Sequence, residues 1–463
     1  MKICFSFFSY FLFMSLVFSK EITISLNSSP ISIDPIYATD RSSATLLRLL
    51  HKKLFFQKRD SKFATELVEK YSFQNRSLLI TLKKVQYNSS RNLTSKDVLK
   101  ALTRLGTVEH PRKLQFQKIT KISAINDLEL KIDTSLNELE ILNLLSHPTS
   151  AIYDPDVPDE FLGDYSLENS RISDEQFYLK KNAYSSTNFP EKLNFLILPQ
   201  PRTAFFLAKK RKIDWTKLSD FLLTEPSPPN FQLYSKKGQS IQYIAISPFE
   251  TCFDKNFRYA LNYAIHRELI IEKILNGQAE LSHGPIPISV WGKNDPSFPH
   301  NKSLAKSYLQ KSKCYPQIIN RNLELRLRAD DENRAKGKAI QESLQDLGLK
   351  ITLNYMEKAQ LYKQNNQKKG ELTLLTWYLD DDSKFGFLDP LFNGEKFGGG
   401  GNRSFYNNEF VNNHLSKLNI ESVYSQVVET IIADSPWVFL WSLPENFWMS
   451  QELAEFPELV ERL

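Results

Sequence analysis

Cysteine is nearly missing from this chain, and so is every short motif that carries covalent or metal-assisted catalysis. Three of its 463 residues are cysteine, and one of these, Cys4, lies in an apolar leader. Cys252 and Cys314 remain, far apart in the chain, and two cysteines are not a disulfide framework. An oxidising compartment would permit a bridge between them, but the required geometry is narrow and the spacing alone leaves the pairing open. No HExxH, GxSxG, paired CxxC or Walker A pattern occurs, which removes the common zinc-peptidase, serine-hydrolase, zinc-ribbon and P-loop readings. No metal or cofactor is expected. Charge of one sign is not in large excess: net +6, with only short basic clusters such as Lys209-Lys210-Arg211-Lys212. A cluster of that size is a solvated face, so a nucleic-acid partner is not expected. After the leader, no stretch approaches the roughly 20 apolar residues that a membrane helix needs.

The leader itself is MKICFSFFSYFLFMSLVFSK. Lys2 is a short basic n-region, Ile3 to Phe18 is largely apolar, and Val17 and Ser19 suit the small-residue rule for cleavage. Cys4 sits too early for lipid attachment. The expectation is a periplasmic protein, freed by a cleavable signal and not a lipoprotein. About 444 residues would remain, more than one core usually supports, so two or three domains are expected. Phenylalanine is abundant, at 32, and aromatics make up 12 % of the chain, ample for several cores and a ligand cleft.

Periodicity gives a mixed α/β pattern. Glu21 to Leu26 alternates like a strand, and Thr94 with Asp97 forms the capping box of a helix. Leu323 to Ala329 alternates, Asp330 or Asp331 opens a helix that Gly348 closes, and Lys350 to Tyr355 is the next strand. That is a βαβ unit with a parallel pair. Leu372 to Trp377 and Trp437 to Trp441 read as buried strands. Gly398 to Gly401 reads as a flexible loop without the strand-to-helix context of a phosphate cradle. Cys252 to Gly277 reads as one amphipathic helix capped by Asp254 and ended by Gly277, with His266-Arg267-Glu268 as an exposed turn.

The wording of that helix is more specific than its periodicity. An aromatic-Arg-x-Ala-Leu-Asn-x-Ala-Ile-x-Arg-x-x-Ile-Ile string resembles the signature helix of the extracellular solute-binding proteins of family 5, the peptide- and nickel-binding receptors of ABC importers. Other strings follow in the family's order: Ile33-Asp34-Pro35, Phe63 to Leu67, Val85 to Val98, Asn301 to Ala305, Leu374 to Trp377 with Asp380, and Asn402 to Phe410. There are departures. Ser90 replaces a turn glycine, Ser247 an asparagine, and Thr376 the glycine before the tryptophan.

The resemblance implies an α/β, two-lobed periplasmic binding protein of type II, cluster C, with an additional third domain on the first lobe. The expected division is 1–19 as signal peptide, 20–45, 155–246 and 439–463 as the first lobe, 46–154 as the extra domain, and 247–438 as the second lobe. The implied function is capture of oligopeptides or dipeptides and delivery to an inner-membrane ABC permease, by a monomer that is not an enzyme. Nickel chelate, haem or cell-wall peptide are alternatives within the family; an exported hydrolase is the alternative from another class.

By the same resemblance, Asp380 would pair with a ligand's α-ammonium and Trp377 would line the cleft beside it. A carboxylate in a closed cleft makes a strong charge-assisted bond to an ammonium. Asp380-Asp381-Asp382 reads equally as a solvated acidic turn, and Trp377 as core. Tyr243 is placed either at the cleft or in ordinary strand packing. Thr39, Asp40 and Arg41 would offer backbone to a bound peptide, or form a plain helix-entry loop. No counterpart is evident for a residue holding a peptide's C-terminus.

Overall fold

The computed structural model describes residues 21–38, 40–57, 63–110, 113–169, 172–218, 222–223, 225–237, 240–282, 284–287, 298–378, 384–418 and 420–463. The leader, Thr39 and Asp380 lie outside these residues. Two open mixed sheets form the two lobes. The first has seven strands in the order Phe231–Lys236, Glu445–Ser450, Trp215–Lys217, Glu21–Leu26, Lys192–Ile197, Gln176–Lys181 and Tyr165–Leu167. The second has six: Glu280–Leu281, Trp437–Ser442, Ser240–Ile246, Leu372–Tyr378, Asn322–Arg328 and Lys350–Met356. A four-stranded antiparallel sheet within Val68–Thr134 carries the extra domain, whose core joins Leu78, Ile80, Leu130 and Ile132 to helix Ser95–Thr107.

The second lobe shows why its sequence reads as it does. Strand Ser240–Ile246 is buried on both faces: Ile244 and Ile246 enter one core, Ile241, Tyr243 and Ala245 the other. The period-two rule places them there. The predicted βαβ unit is present, with Asn322–Arg328 parallel to Lys350–Met356, Asp330 capping the helix and Gly348 at φ +101°. Thr94 and Asp97 form the expected capping box.

The signature segment is two helices, not one: Lys255–Ala264 and Arg267–Lys273. Asp254 caps the first, as expected. The second ends at Lys273 with Ile274 as its C-cap, earlier than expected, and Gly277, at φ +70°, lies in the turn beyond it. The break between the two helices has a physical cause. Arg267 is buried, not exposed, and its guanidinium donates to the carbonyls of Phe439, Asn262 (2.9 Å), Ile265 (3.3 Å) and Phe298 (3.1 Å). The Asn262 and Ile265 carbonyls sit at the C-terminal end of the first helix, where the i to i+4 ladder stops. Asn262 completes the hub, donating to Trp437 O at 2.8 Å and accepting from Phe439 N at 3.1 Å. Burial pushes the Arg267 guanidinium down to about 10.

Three domain limits shift. Strand pairing puts Ser240–Ile246 and all of Trp437–Ser442 in the second sheet, so the boundaries expected after 246 and 438 fall at or inside paired second-lobe strands. The first-lobe strand ending at Lys236 is followed by the second-lobe strand starting at Ser240, and the second-lobe strand ending at Ser442 by the first-lobe strand starting at Glu445, so the crossings fall between these pairs instead. Leu46, Leu49 and Leu50 belong to the first-lobe core, so helix Arg41–Leu50 precedes the extra domain. Cys252 and Cys314 are bridged, with Cα atoms 4.8 Å apart. No helix among the described residues is long and apolar enough to cross a membrane.

Candidate ligand cleft between the lobes

The two crossings lie side by side: Ser240 donates its hydroxyl hydrogen to Leu443 O at 3.0 Å. Beside them, four side chains from four segments converge. Glu445 opens the strand that returns to the first lobe and is almost fully buried. Arg41, at the start of helix Arg41–Leu50, pairs with its carboxylate, and Lys217 Nζ reaches the other oxygen at 2.7 Å. Both cations then face Tyr378, the last residue of second-lobe strand Leu372–Tyr378. The Arg41 guanidinium lies 5.7 Å from the ring centre and Lys217 Nζ 6.0 Å. Arg41 is half exposed, so the corner opens to solvent. A buried carboxylate therefore fixes two first-lobe cations against a second-lobe ring, a contact across the lobes worth about 0.5–1 kcal/mol per cation.

The expected site residues fall as follows. Asp40 caps helix Arg41–Leu50, accepting from Ser43 N at 3.0 Å and Ile31 N at 3.1 Å, so its carboxylate serves the local loop. Arg41 stands at the corner itself. Trp377, partly buried, pairs with Ile241 and packs against the second-lobe core next to Tyr378. Thr376 has a purpose that the replaced glycine could not serve: its hydroxyl accepts from Gln242 Nε2 at 3.0 Å, while Gln242 Oε1 accepts from Trp441 Nε1 at 2.8 Å. Tyr243 is strand packing and not cleft wall. It is 1 % exposed and stacks on Trp437 with ring centres 3.6 Å apart. Thr39 and Asp380 lie outside the described residues.

Sequence reasoning did not find Lys217, Glu445 or Tyr378. Tyr378 adjoins Trp377 and was open to detection. Lys217 and Glu445 meet only because sheet pairing sets Lys217 beside Phe447, a long-range register that no local pattern reports.

Comparison with known proteins decides the family. Residues 62–399 match the model described as bacterial extracellular solute-binding proteins, family 5 Middle. The chain belongs to this family. The heme-binding protein A of Haemophilus influenzae is 23 % identical over 367 residues, covering 72 % of this chain and 66 % of that protein. The glutathione-binding protein GsiB of Pectobacterium atrosepticum is 22 % identical, covering 91 % and 88 %. Among solved structures, the periplasmic binding protein DppA from Helicobacter pylori, in complex with the peptide STSA, superposes with a TM-score of 0.76. It is 18 % identical, with 93 % of this chain and 94 % of that chain covered. The substrate-binding protein CtaP of Listeria monocytogenes reaches a TM-score of 0.80 at 15 % identity, over 93 % and 94 %. The family's proteins bind solutes, and the two lobes here are the fold that closes on them by hinge bending.

Proposed function

We propose that this solute-binding protein captures oligopeptides or dipeptides in the cleft and delivers them to an ABC importer, without chemistry of its own. The observation that carries the reading is the corner at the crossings. First-lobe Arg41 and Lys217 meet second-lobe Tyr378, and Asp380 stands two positions beyond Tyr378 in the sequence. In this reading Asp380 holds the ligand's ammonium, Trp377 supplies an aromatic wall, and the Thr39–Arg41 segment meets the peptide backbone. Solved relatives with peptide and dipeptide ligands support it. Two features fit export and with it this reading: the first twenty residues carry a cleavage pattern, and a Cys252–Cys314 bridge suits an oxidising compartment.

Calorimetric titration of the mature protein with trialanine and N-acetyl-trialanine tests it. The free amine is expected to bind, with the acetylated peptide at least tenfold weaker and Asp380→Asn losing that difference. Equal binding of both peptides would remove the ammonium anchor. Binding of haem or nickel–histidine, with none of any peptide, would replace the ligand class.

A further inference from the structure

At the far edge of the second lobe, a small cationic recess stands apart from the cleft. Strand Ser240–Ile246 starts at the lobe crossing and ends at this recess, roughly 20 Å away at about 3.3 Å per residue. Its lining includes Lys368, Lys369 and Arg403, and no carboxylate among the described residues that line it. The acids next in sequence to its lining residues Phe249 and Gly370, Glu250 and Glu371, are engaged with Arg321. Asn365 is 93 % buried at the recess; its Nδ2 donates to Arg403 O at 3.1 Å, while its Oδ1 has no partner. An unpaired buried acceptor costs about 1–3 kcal/mol, so a donor is called for.

The rim is aromatic and held at a cost. Phe249 and Phe397 are 46 % and 43 % exposed, and the Phe405 ring lies 5.1 Å and 5.7 Å from theirs. Phe405 sits at φ +53° and Lys368 at φ +62°, both in the left-handed region. Each costs roughly 1–2 kcal/mol. Lys368 takes the position after helix Lys358–Asn366 where glycine usually ends a helix, and its ammonium lies 5.1 Å from the Phe249 ring. Strain of this kind concentrates where a surface is used.

We propose that this recess docks an acidic, partly apolar peptide segment of a partner protein. A carboxylate would meet Lys368 and Lys369, a small N–H donor at the tip of the segment would satisfy Asn365 Oδ1, and an apolar side chain would lie on Phe249 and Phe397; the Arg403 guanidinium is held beside them by Asn366 Oδ1 at 2.8 Å. The cavity, about 10 Å³, admits only the tip of such a group, which excludes a second solute pocket. A bare phosphate offers nothing to the aromatic rim. The proposal rests on the delivery role above, since delivery needs a docking surface separate from the cleft.

The probe is fluorescent N-acetyl-Glu-Phe-Glu-amide, titrated into the mature protein and into Asp380→Asn, with N-acetyl-Lys-Phe-Lys-amide and inorganic phosphate as competitors. Saturable binding is expected in both proteins. Lys369→Glu should weaken it at least tenfold and Phe249→Ser severalfold, and solute affinity should not change in either variant. In cells, Lys369→Glu should slow solute uptake by a similar factor. No saturable binding, equal binding in both variants, displacement by phosphate as readily as by unlabelled probe, or unchanged uptake would each overturn the proposal. Failure of the wild type to bind any solute would instead overturn the delivery role.

Discussion

Two arginines of this protein invite comparison. Arg267 is buried in the second lobe and surrounded by carbonyls; Arg41 is half exposed at the cleft corner and shares one carboxylate with Lys217. The first ties the signature helices to strand Trp437–Ser442, all within one lobe. The second touches a ring from the opposite lobe. Arg267 therefore holds one lobe together and Arg41 reaches a ring of the other, although the family's signature string contains only the former.

Removing the Arg267 hub should produce the largest effect. Arg267→Met leaves several buried carbonyls without a donor and should lower the unfolding free energy by about 3–5 kcal/mol in urea denaturation. A loss under 1 kcal/mol would erase the distinction drawn here.

A buried histidine sharpens it. His51 packs between Tyr153 and Phe161 at the joint with the extra domain, its Nε2 3.0 Å from Ile33 O. Burial lowers its pKa from 6.5 to about 4. The unfolded chain takes up this proton at higher pH than the folded one. Stability should thus be full above pH 6.5 and fall as pH drops towards 4, by at most about 3 kcal/mol. His51→Phe should flatten that slope in pH-dependent melting; an unchanged slope would place its origin elsewhere.

At the cleft corner, effects on stability should be smaller and effects on binding larger. Glu445→Gln removes the charge that both cations share and should cost about 1–2 kcal/mol. Tyr378→Ala should cost under about 1 kcal/mol, because the ring is partly exposed and its cation contacts are weak. It should nevertheless open the ligand-free protein in small-angle scattering and weaken solute binding severalfold, through a smaller population of the closed form. Unchanged scattering and affinity would show that the corner does not bridge the lobes in solution.

Much of the fold was legible because its signals are local. Thr94 and Asp97 lie three residues apart, Asp330 to Gly348 spans one helix, and the buried strands carry their own apolar runs. Several family strings turn out to be structural. Asp34 pairs with Arg104 of the extra domain, and Asn402 binds Asn393 O and Tyr406 O to hold the glycine-rich turn in an ordered shape. Even a departure is explained: Ser90 adopts φ +73°, the conformation a glycine would take freely. The crossings were misplaced because periodicity identifies a strand but not the sheet that receives it. The cleft corner escaped for the same reason, since Arg41, Lys217, Tyr378 and Glu445 are neighbours only through two sheets.

The central claim, a peptide receptor whose cleft lies at that corner, is tested most directly by native mass spectrometry of the mature protein purified from periplasm, followed by denaturation and sequencing of what is released. The account predicts a set of short peptides, lost in Asp380→Ala while Arg267→Lys, if folded, retains them. Release of haem or a metal chelate, or of nothing even after peptides are added, would contradict it and leave only the fold.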